Sequence, residues 1–563
     1  MSLRSFYVAL SAVVVGSLVA AIALFFWLAV QSPLDVLSDG KRPDPAAAVF
    51  VPKQAPVMAS LQVNPDRLEA LRIAIANPTA RRQARKEIEQ FKQGILSERQ
   101  LNYATDIKPW LGDEITLSVT TPDLDRNPAN GQQPGYLLAI ETQDGDRARD
   151  FLQVFWQKQA IAGSDLVFEP YAGVKLIYGQ TVDQAATDGI VQTLATTVVV
   201  DRFVLFANSP KVLREAINNV QAPGLNLSSN ADYEAALRRV PEHTLGMVYV
   251  NLPQLGQWLG QSRSASASRF DRAIAALQLN RYGLLADTAL LTAPGFELPF
   301  IQPVADRPTT ALQFMPEDTP LLVSGLDLNQ VWNDLNTGLQ DFPLLAELFQ
   351  QALKPLESQW GMPLSGPLLS WADQEFALGL MPKAGKKQDW LVAAQATEAT
   401  QPALDELDAI AQNQGLSIGP VDLNGQPTYT WTRLSTAEGR SRRRNTPQIQ
   451  AEVRGVHTNT RGFELLATSL DAMSQALQAP SRSLAEQGEF KEAIAPIPPA
   501  NNGFFYVNWS AVRPVLEKRI PLLKLAGLSA RPIFDHVRSL TFSSAGGDQQ
   551  SRQGTLFIRL SDR

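Results

Sequence analysis

Cysteine is absent from all 563 residues. Its absence excludes thiol catalysis, thiolate metal sites, disulfides and an acylated lipoprotein cysteine. An exported form of the chain therefore has to rest on core size for its stability. Histidine is scarce: His243, His457 and His536 are all there are. None has a second His, or a carboxylate at ligand spacing, on a shared helix face, so they are read as exposed or hydrogen-bonded loop residues. A basic balance is lacking too. The net charge of -6 and pI near 5.4 leave no electrostatic footprint for nucleic acid. What remains, 45% hydrophobic and 19% charged residues, is the composition of a globular chain rather than a disordered one. Its length exceeds what one core supports, so at least two core-forming units are expected.

One long apolar run is present. Residues 6–30 read FYVALSAVVVGSLVAAIALFFWLAV without a charge, long enough to cross a bilayer as a helix with a little tilt. A cleaved signal peptide would have a shorter apolar core, and the Ala21 and Ala23 pattern lies inside the run rather than after it. The reading is an uncleaved transmembrane helix. Arg4 precedes it and the next cations are Lys41 and Arg42, which puts residues 1–5 in the cytoplasm and the main domain outside. Residues 31–47 carry Pro33, Pro43, Pro45 and Gly40 with no amphipathic period, and form a short tether.

Beyond the tether, short β-rich runs mix with amphipathic helices. Strands are expected at 114–120, 135–141, 174–178, 197–201, 203–207, 376–380, 391–396 and 555–560. Helices are expected at 66–75, 80–95, 147–159, 211–220, 401–412 and 470–477. Hairpin pairs are common and strands do not alternate one-for-one with helices, so the class is α+β with mainly antiparallel sheet.

A collinear series of matches runs through the chain. Residues 49–71 resemble 313–335. Trp110-Leu-Gly-Asp-Glu114 is answered by Trp371-Ala-Asp-Gln-Glu375, and the segment from Phe203 to Pro223 by that from Phe463 to Pro480. Val248-Tyr-Val-Asn251 is answered by Phe505-Tyr-Val-Asn508. Two related halves are expected, 48–296 and 309–563, with a linker at 297–308. A smaller unit recurs within them: a Pro, a short β run, an Asn or Asp, then a helix. Its closing residues are Asn64, Asn251, Asp327 and Asn508, each suited to accept an orphan N–H of the helix that follows. Anchor, proline tether, this unit and the W-x-x-x-E strand openings together resemble a family of membrane-anchored proteins found mainly in cyanobacteria and known as a domain of unknown function. The resemblance implies an envelope or thylakoid-facing setting and supplies no functional residues.

Motifs with chemical meaning fare poorly. Gly415-Leu-Ser417-Ile-Gly419 satisfies the serine-hydrolase elbow but follows a helix instead of a strand, so Gly415 reads as a helix C-cap and Ser417 as the start of a strand. Asp123-Leu-Asp125-Arg-Asn127 begins like a calcium loop, yet Pro128 and Pro134 stand where Gly and Glu are needed. Gly379 with Gly385, Lys386 and Lys387 has the wrong spacing for a phosphate loop and reads as a hairpin. Asp405, Glu406 and Asp408 are placed on the wet side of a helix, as are Glu87 and Glu89. Arg440, Arg442, Arg443 and Arg444 form the densest charge run, a solvated loop first and an anionic contact second.

No catalytic, cofactor or metal site emerges. The preferred function is a non-catalytic scaffold or assembly factor with protein partners in the envelope or thylakoid. The alternative is a binding module for a lipid or other hydrophobic ligand, which an exposed apolar groove would favour. Third is an enzyme whose polar residues converge from distant sequence.

Overall fold

In the structure, a computed structural model, the residues described are 44–64, 102–127, 131–161, 163–180, 194–199, 202–241, 244–258, 269–280, 282–301, 309–329, 331–332, 371–381, 389–423, 425–437, 448–519 and 537–560. Residues 6–30, the helices expected at 66–75 and 80–95, and Arg440 to Arg444 lie outside them. Among the described residues no helix is long and apolar enough to cross a membrane.

The first half contributes β1 (Val57–Leu61), β2 (Leu111–Thr121), β3 (Gly135–Thr142), β4 (Asp165–Tyr171) and β5 (Val174–Gln180), then β6 (Ala195–Val199), β7 (Phe203–Ala207), β8 (Gly246–Asn251), β9 (Phe270–Asn280) and β10 (Gly283–Thr292). They pair antiparallel in the order β4-β5-β6-β7-β3-β2-β1-β8-β9-β10. The second half contributes β11 (Leu321–Gly325), β12 (Phe376–Met381), β13 (Asp389–Gln395), β14 (Ser417–Leu423) and β15 (Gln426–Ala437), then β16 (Gln448–Thr460), β17 (Phe463–Ala467), β18 (Phe504–Asn508), β19 (Val537–Gly546) and β20 (Ser551–Leu560). Its order is β14-β15-β16-β17-β13-β12-β11-β18-β19-β20, the same sequence of partners shifted by ten strand numbers.

The two orders meet where β10 pairs antiparallel with β20, so all 20 strands form one sheet. Asp287 lies opposite Thr555 there, and the flanking pairs are Ala286 with Leu556 and Thr288 with Gly554. Counted from the start of each strand, Asp287 and Thr555 occupy the same position, so the junction has the self-complementary register of a two-fold interface. Burial pushes the Asp287 carboxyl above the ordinary range, and the Thr555 hydroxyl, 3.1 Å from its Oδ1, partly offsets this. The described part of the expected linker, 297–301, is held to the second half: Leu298 N donates to Gln549 O and Ile301 N to Gly547 O.

Helices cover both faces. The first half has α1 (Gly145–Ile161), α2 (Pro210–Gln221), α3 (Ala231–Leu237) and α4 (Leu252–Trp258), and the second has α5 (Thr400–Asn413), α6 (Leu470–Gln478), α7 (Gly488–Ile494) and α8 (Trp509–Arg519). On one face α2 packs Val212, Leu213, Ala216 and Ile217 onto Leu137, Leu205 and Phe50. The corresponding second-half cluster joins Ala472, Met473 and Ala476 of α6 to Leu391, Leu465 and Phe314. On the other face α1 lays Phe151, Leu152 and Phe155 over Trp110 and Val204, and α5 lays Leu404, Leu407 and Ala411 over Trp371 and Leu466. α1 and α5 each stop two residues short of a left-handed glycine, Gly163 (φ 95) and Gly415 (φ 76), a conformation without penalty only for glycine.

Candidate functional site

The marker residues act on backbone groups. Asn251 and Asn508 close β8 and β18, and their side-chain oxygens accept from Gln254 N and Ala511 N, both at 3.3 Å. Asn64 sends its amide to the carbonyls of Leu111 and Gly112, at 3.3 and 2.9 Å, tying β1 to the start of β2. Asp327 opens a helical turn through Val331 N, which donates to its carbonyl at 3.0 Å. Trp110 and Trp371 are both buried beneath a helix.

The glutamate of W-x-x-x-E has a role that sequence reading missed. Glu114 receives Ala46 N and Ala47 N, each at 2.8 Å, and so caps the 3-10 turn Ala46–Phe50 with both carboxylate oxygens. Glu375 caps Thr310–Phe314 with one oxygen, its Oε2 accepting from Thr310 N at 2.9 Å and from the Thr310 hydroxyl at 2.5 Å. Burial pushes the Glu114 carboxyl above its usual range, and the two backbone donors offset part of that. These glutamates tie stretches of chain that are distant in sequence.

The chemically distinctive site lies at the far end of the second half. His457 sits on β16, not in a loop, and is almost wholly buried. Its Nδ1 is 3.3 Å from Glu464 Oε1 on β17, and its Nε2 is 3.5 Å from Asp408 Oδ1 on α5. The second contact is an ion pair rather than a hydrogen bond at that length. Asp408 therefore does not face water, as the helix pattern suggested; its Oδ1 also accepts from Trp431 Nε1 at 2.6 Å. Tyr429 stacks on the imidazole with ring centres 5.4 Å apart and an interplanar angle of 22°. Burial pushes the imidazole down, but Asp408 and Glu464 outweigh it and hold it up at about 9. Burial pushes Asp408 up, and the His457 and Trp431 donors bring it below the ordinary carboxylate range. At neutral pH this is an imidazolium held between Asp408 and Glu464.

The remaining motifs resolve into local structure. Ser417 begins β14 and pairs with Thr432, with Gly415 ending the helix before it. Asp123 Oδ1 accepts from Gln133 N at 3.2 Å and Asp125 Oδ1 from Asn127 N at 2.9 Å, a turn held by its own backbone. Gly379 lies within β12 opposite Leu391 of β13, its hairpin partner. His243 and His536 lie outside the described residues. Among the described residues no group of three or more His, Asp or Glu is arranged to hold a metal ion.

One apolar surface stands out. Phe505 of β18 and Phe542 of β19 are direct cross-strand neighbours, each 42% exposed. Leu540, Leu556 and Ile558 continue the same face, because they alternate in register with Phe542. The first half has Val248 and Ala275 at the corresponding pair, and buried Trp258 of α4 packs against Val248.

These features define an α+β protein built on one continuous antiparallel sheet. The chain belongs to the family described as protein of unknown function (DUF3352), whose model matches residues 10–560. No curated protein matches it. Among solved structures it is similar to crystal form I of TP0453, at 9% identity and a TM-score of 0.24, over 45% of this chain and 81% of that one. Crystal form III of TP0453 gives 11% identity and a TM-score of 0.23, over 46% and 82%. Neither likeness bears on function.

Proposed function

We propose that this is a single-pass membrane protein whose extracytoplasmic part is a non-catalytic scaffold or assembly factor, built by duplication of one α+β unit. The observation that carries the reading is the unbroken sheet. At roughly 4.8 Å between neighbours, twenty strands run for about 90 Å along the sheet, a stiff platform far larger than any one small ligand needs. Matching strand orders and the two-fold register at Asp287 and Thr555 support descent from a pair of identical units fused in one chain. The uncharged run 6–30, preceded by Arg4, supports the anchor and its orientation toward the periplasm or thylakoid lumen.

The exposed Phe505 and Phe542 favour a second reading, a surface for lipid or another hydrophobic ligand. A photo-crosslinking residue placed at 505 or 542 of the full chain, in its native membrane, separates the two. Capture of one discrete protein supports the scaffold. Capture of lipid supports the alternative, and capture of neither from both positions overturns this surface as the working face. For the anchor, a reporter active only outside the cytoplasm, fused after Arg563, should be active; activity only from a cytoplasmic reporter reverses the orientation.

A further inference from the structure

A sheet that does not close has two edges, and here they fall on β4 and β14, equivalent strands of the two halves. No described strand pairs with the outer side of either, and Phe168 of β4 is 54% exposed. The N–H and C=O groups along such an edge are a template for another strand. The molecule itself shows that these units accept one. β10 and β20 are the opposite edges of the same two units, and they join over nine residue pairs.

Proline separates the joined edges from the open ones. β10 and β20 contain none, whereas β4 has Pro170 and β14 has Pro420. Among the other described strands only β15 has one, Pro427, ahead of the stretch that pairs with β16. Both edge prolines face outward. The turn after β4, Ala172-Gly173 with φ of 48 and 85, is of the I′ type and closes on Tyr171 and Val174 as a hydrogen-bonded pair. Counting back by twos, Glu169, Val167 and Asp165 turn their backbone groups to β5, and Leu166, Phe168 and Pro170 turn theirs outward. On β14, the Thr428 and Thr430 hydroxyls of β15 donate to the carbonyls of Val421 and Gly419, at 2.6 and 3.2 Å. Ile418, Pro420 and Asp422 therefore face out. Two copies of β14 laid antiparallel about residue 420 would set 420 against 420 and Ile418 against Asp422. Asp422 is the one charge in β14, so no like charges would meet.

We propose that Pro420 caps the sheet, and that what it excludes is a second copy of this chain, pairing β14 on β14 about a two-fold axis. Proline's missing N–H empties the centre of that ladder, and its ring stands in the way of the approaching strand. The excluded partner is a copy because the register is self-complementary, and because edge pairing of these units is already realised at β10 and β20. Pro170 is the same device near the end of the other edge. The cap is independent of the scaffold reading, since it rests on backbone direction alone.

The test uses the full chain, free of cysteine, in detergent micelles. Pro420→Thr should raise self-association by at least about thirtyfold in sedimentation, the size of two regained hydrogen bonds. Pro420→Cys also removes the ring and should cross-link to its own copy on oxidation, since facing Cα atoms there would lie about 5.5 Å apart. Ile161→Cys, at an 88% exposed position of α1, gives the rate of chance collisions and should cross-link far more slowly. In the unaltered chain the Ile418 and Asp422 amides should exchange hydrogen rapidly at every protein concentration, a measurement that needs no variant to fold. Protection of those amides as the unaltered chain is concentrated would overturn the proposal. So would Pro420→Thr sedimenting as the unaltered chain does, or Pro420→Cys cross-linking no faster than Ile161→Cys.

Discussion

The same backbone site occurs at both ends of the sheet and is filled in two different ways. Near the β4 end, Trp156 projects from α1, its Nε1 donating to Thr196 Oγ1 on β6 at 2.7 Å, and Gly179 on β5 leaves space for the ring. Near the β14 end the helix position is Asp408, the same number of residues before its left-handed glycine as Trp156 is. The indole has moved to the sheet as Trp431 of β15, and Gly455 of β16 gives it room. His457 stands where Thr196 does, each opposite the fourth residue of the neighbouring strand, and Glu464 stands where Val204 does. One end is a neutral, mostly apolar plug. The other sets two buried ionisable groups, His457 and Glu464, against a half-buried third, Asp408. Backbone path thus leaves the chemistry of a buried site open, provided that volume and donors are matched. Charge here is no sign of greater stability, because desolvation cancels much of what the ion pairs contribute.

The largest expected effect comes from giving the second half a residue of the first. Glu464→Val leaves His457 with only the long contact to Asp408, and breaking one partner of a buried charge cluster costs about 3–5 kcal/mol. Adding His457→Thr completes the first-half pair and should recover at least half of that loss. Hydrogen exchange at β16 and β17 amides measures both. If the double variant is no better than the single one, the two ends are not equivalent solutions.

Next in size is a pH response confined to one end. The folded His457 titrates at about 9 against 6.5 for a free imidazole, so protonation favours the folded state. The contribution is present in full below about 6.5 and is lost as pH rises to about 9, on the order of 3 kcal/mol in all. Thr196 has no charge to lose. Protection of β16 and β17 should therefore fall across this window, while that of β6 and β7 should not fall for this reason. Parallel slopes at the two ends would remove the charged cluster as the cause.

The glycines follow. A Cβ on Gly455 would overlap ring atoms of Trp431, whereas one on Gly179 would meet Trp156 at 3.2 Å. Gly455→Ala should cost about 2–3 kcal/mol, and Gly179→Ala about 1 kcal/mol or less, since a few tenths of an ångström of movement accommodates it. Urea midpoints of the two variants rank them; the reverse order would mean that Trp431 can leave its slot and Trp156 cannot.

How much of this was legible depends on how far apart the partners lie along the chain. A strand such as Phe203–Ala207, or a helix such as Pro210–Gln221 with Ser209 before it, declares itself within a dozen residues. The long strands β9, β10, β15, β16 and β19 were not foreseen, because their alternation is broken by small and polar residues on a face that is nonetheless buried, such as Ser539, Thr541 and Ser543. His457 was misplaced for a related reason. Its partner Asp408 comes from a different element, and Glu464 faces it only once Arg461 and Gly462 turn the chain with positive φ at both residues. The one available signal was Glu464 itself, a charge inside the run Phe463–Ala467, whose counterpart Phe203–Ala207 has valine there. Glu114 was invisible as a cap because Ala47 is 67 residues away.

The smallest expected effect is a test of sameness. Asn251 and Asn508 each accept an N–H from three residues on at 3.3 Å, and each donates its own N–H to a proline carbonyl, Pro56 at 2.9 Å and Pro320 at 2.8 Å. Alanine keeps the backbone bond and removes only the side-chain acceptor, leaving one first-turn N–H of α4 or α8 without its cap. Loss of such a cap costs about 1 kcal/mol, and the length of these contacts argues against more. Because both ends of the comparison are identical here, Asn251→Ala and Asn508→Ala should cost the same to within about 0.5 kcal/mol, and Asp at either position should restore most of it, its carboxylate also favouring the helix N-terminus. Hydrogen exchange in the first turns of α4 and α8 reads this locally. A large cost at one Asn with none at the other would show that the shared strand order does not extend to the capping of its helices.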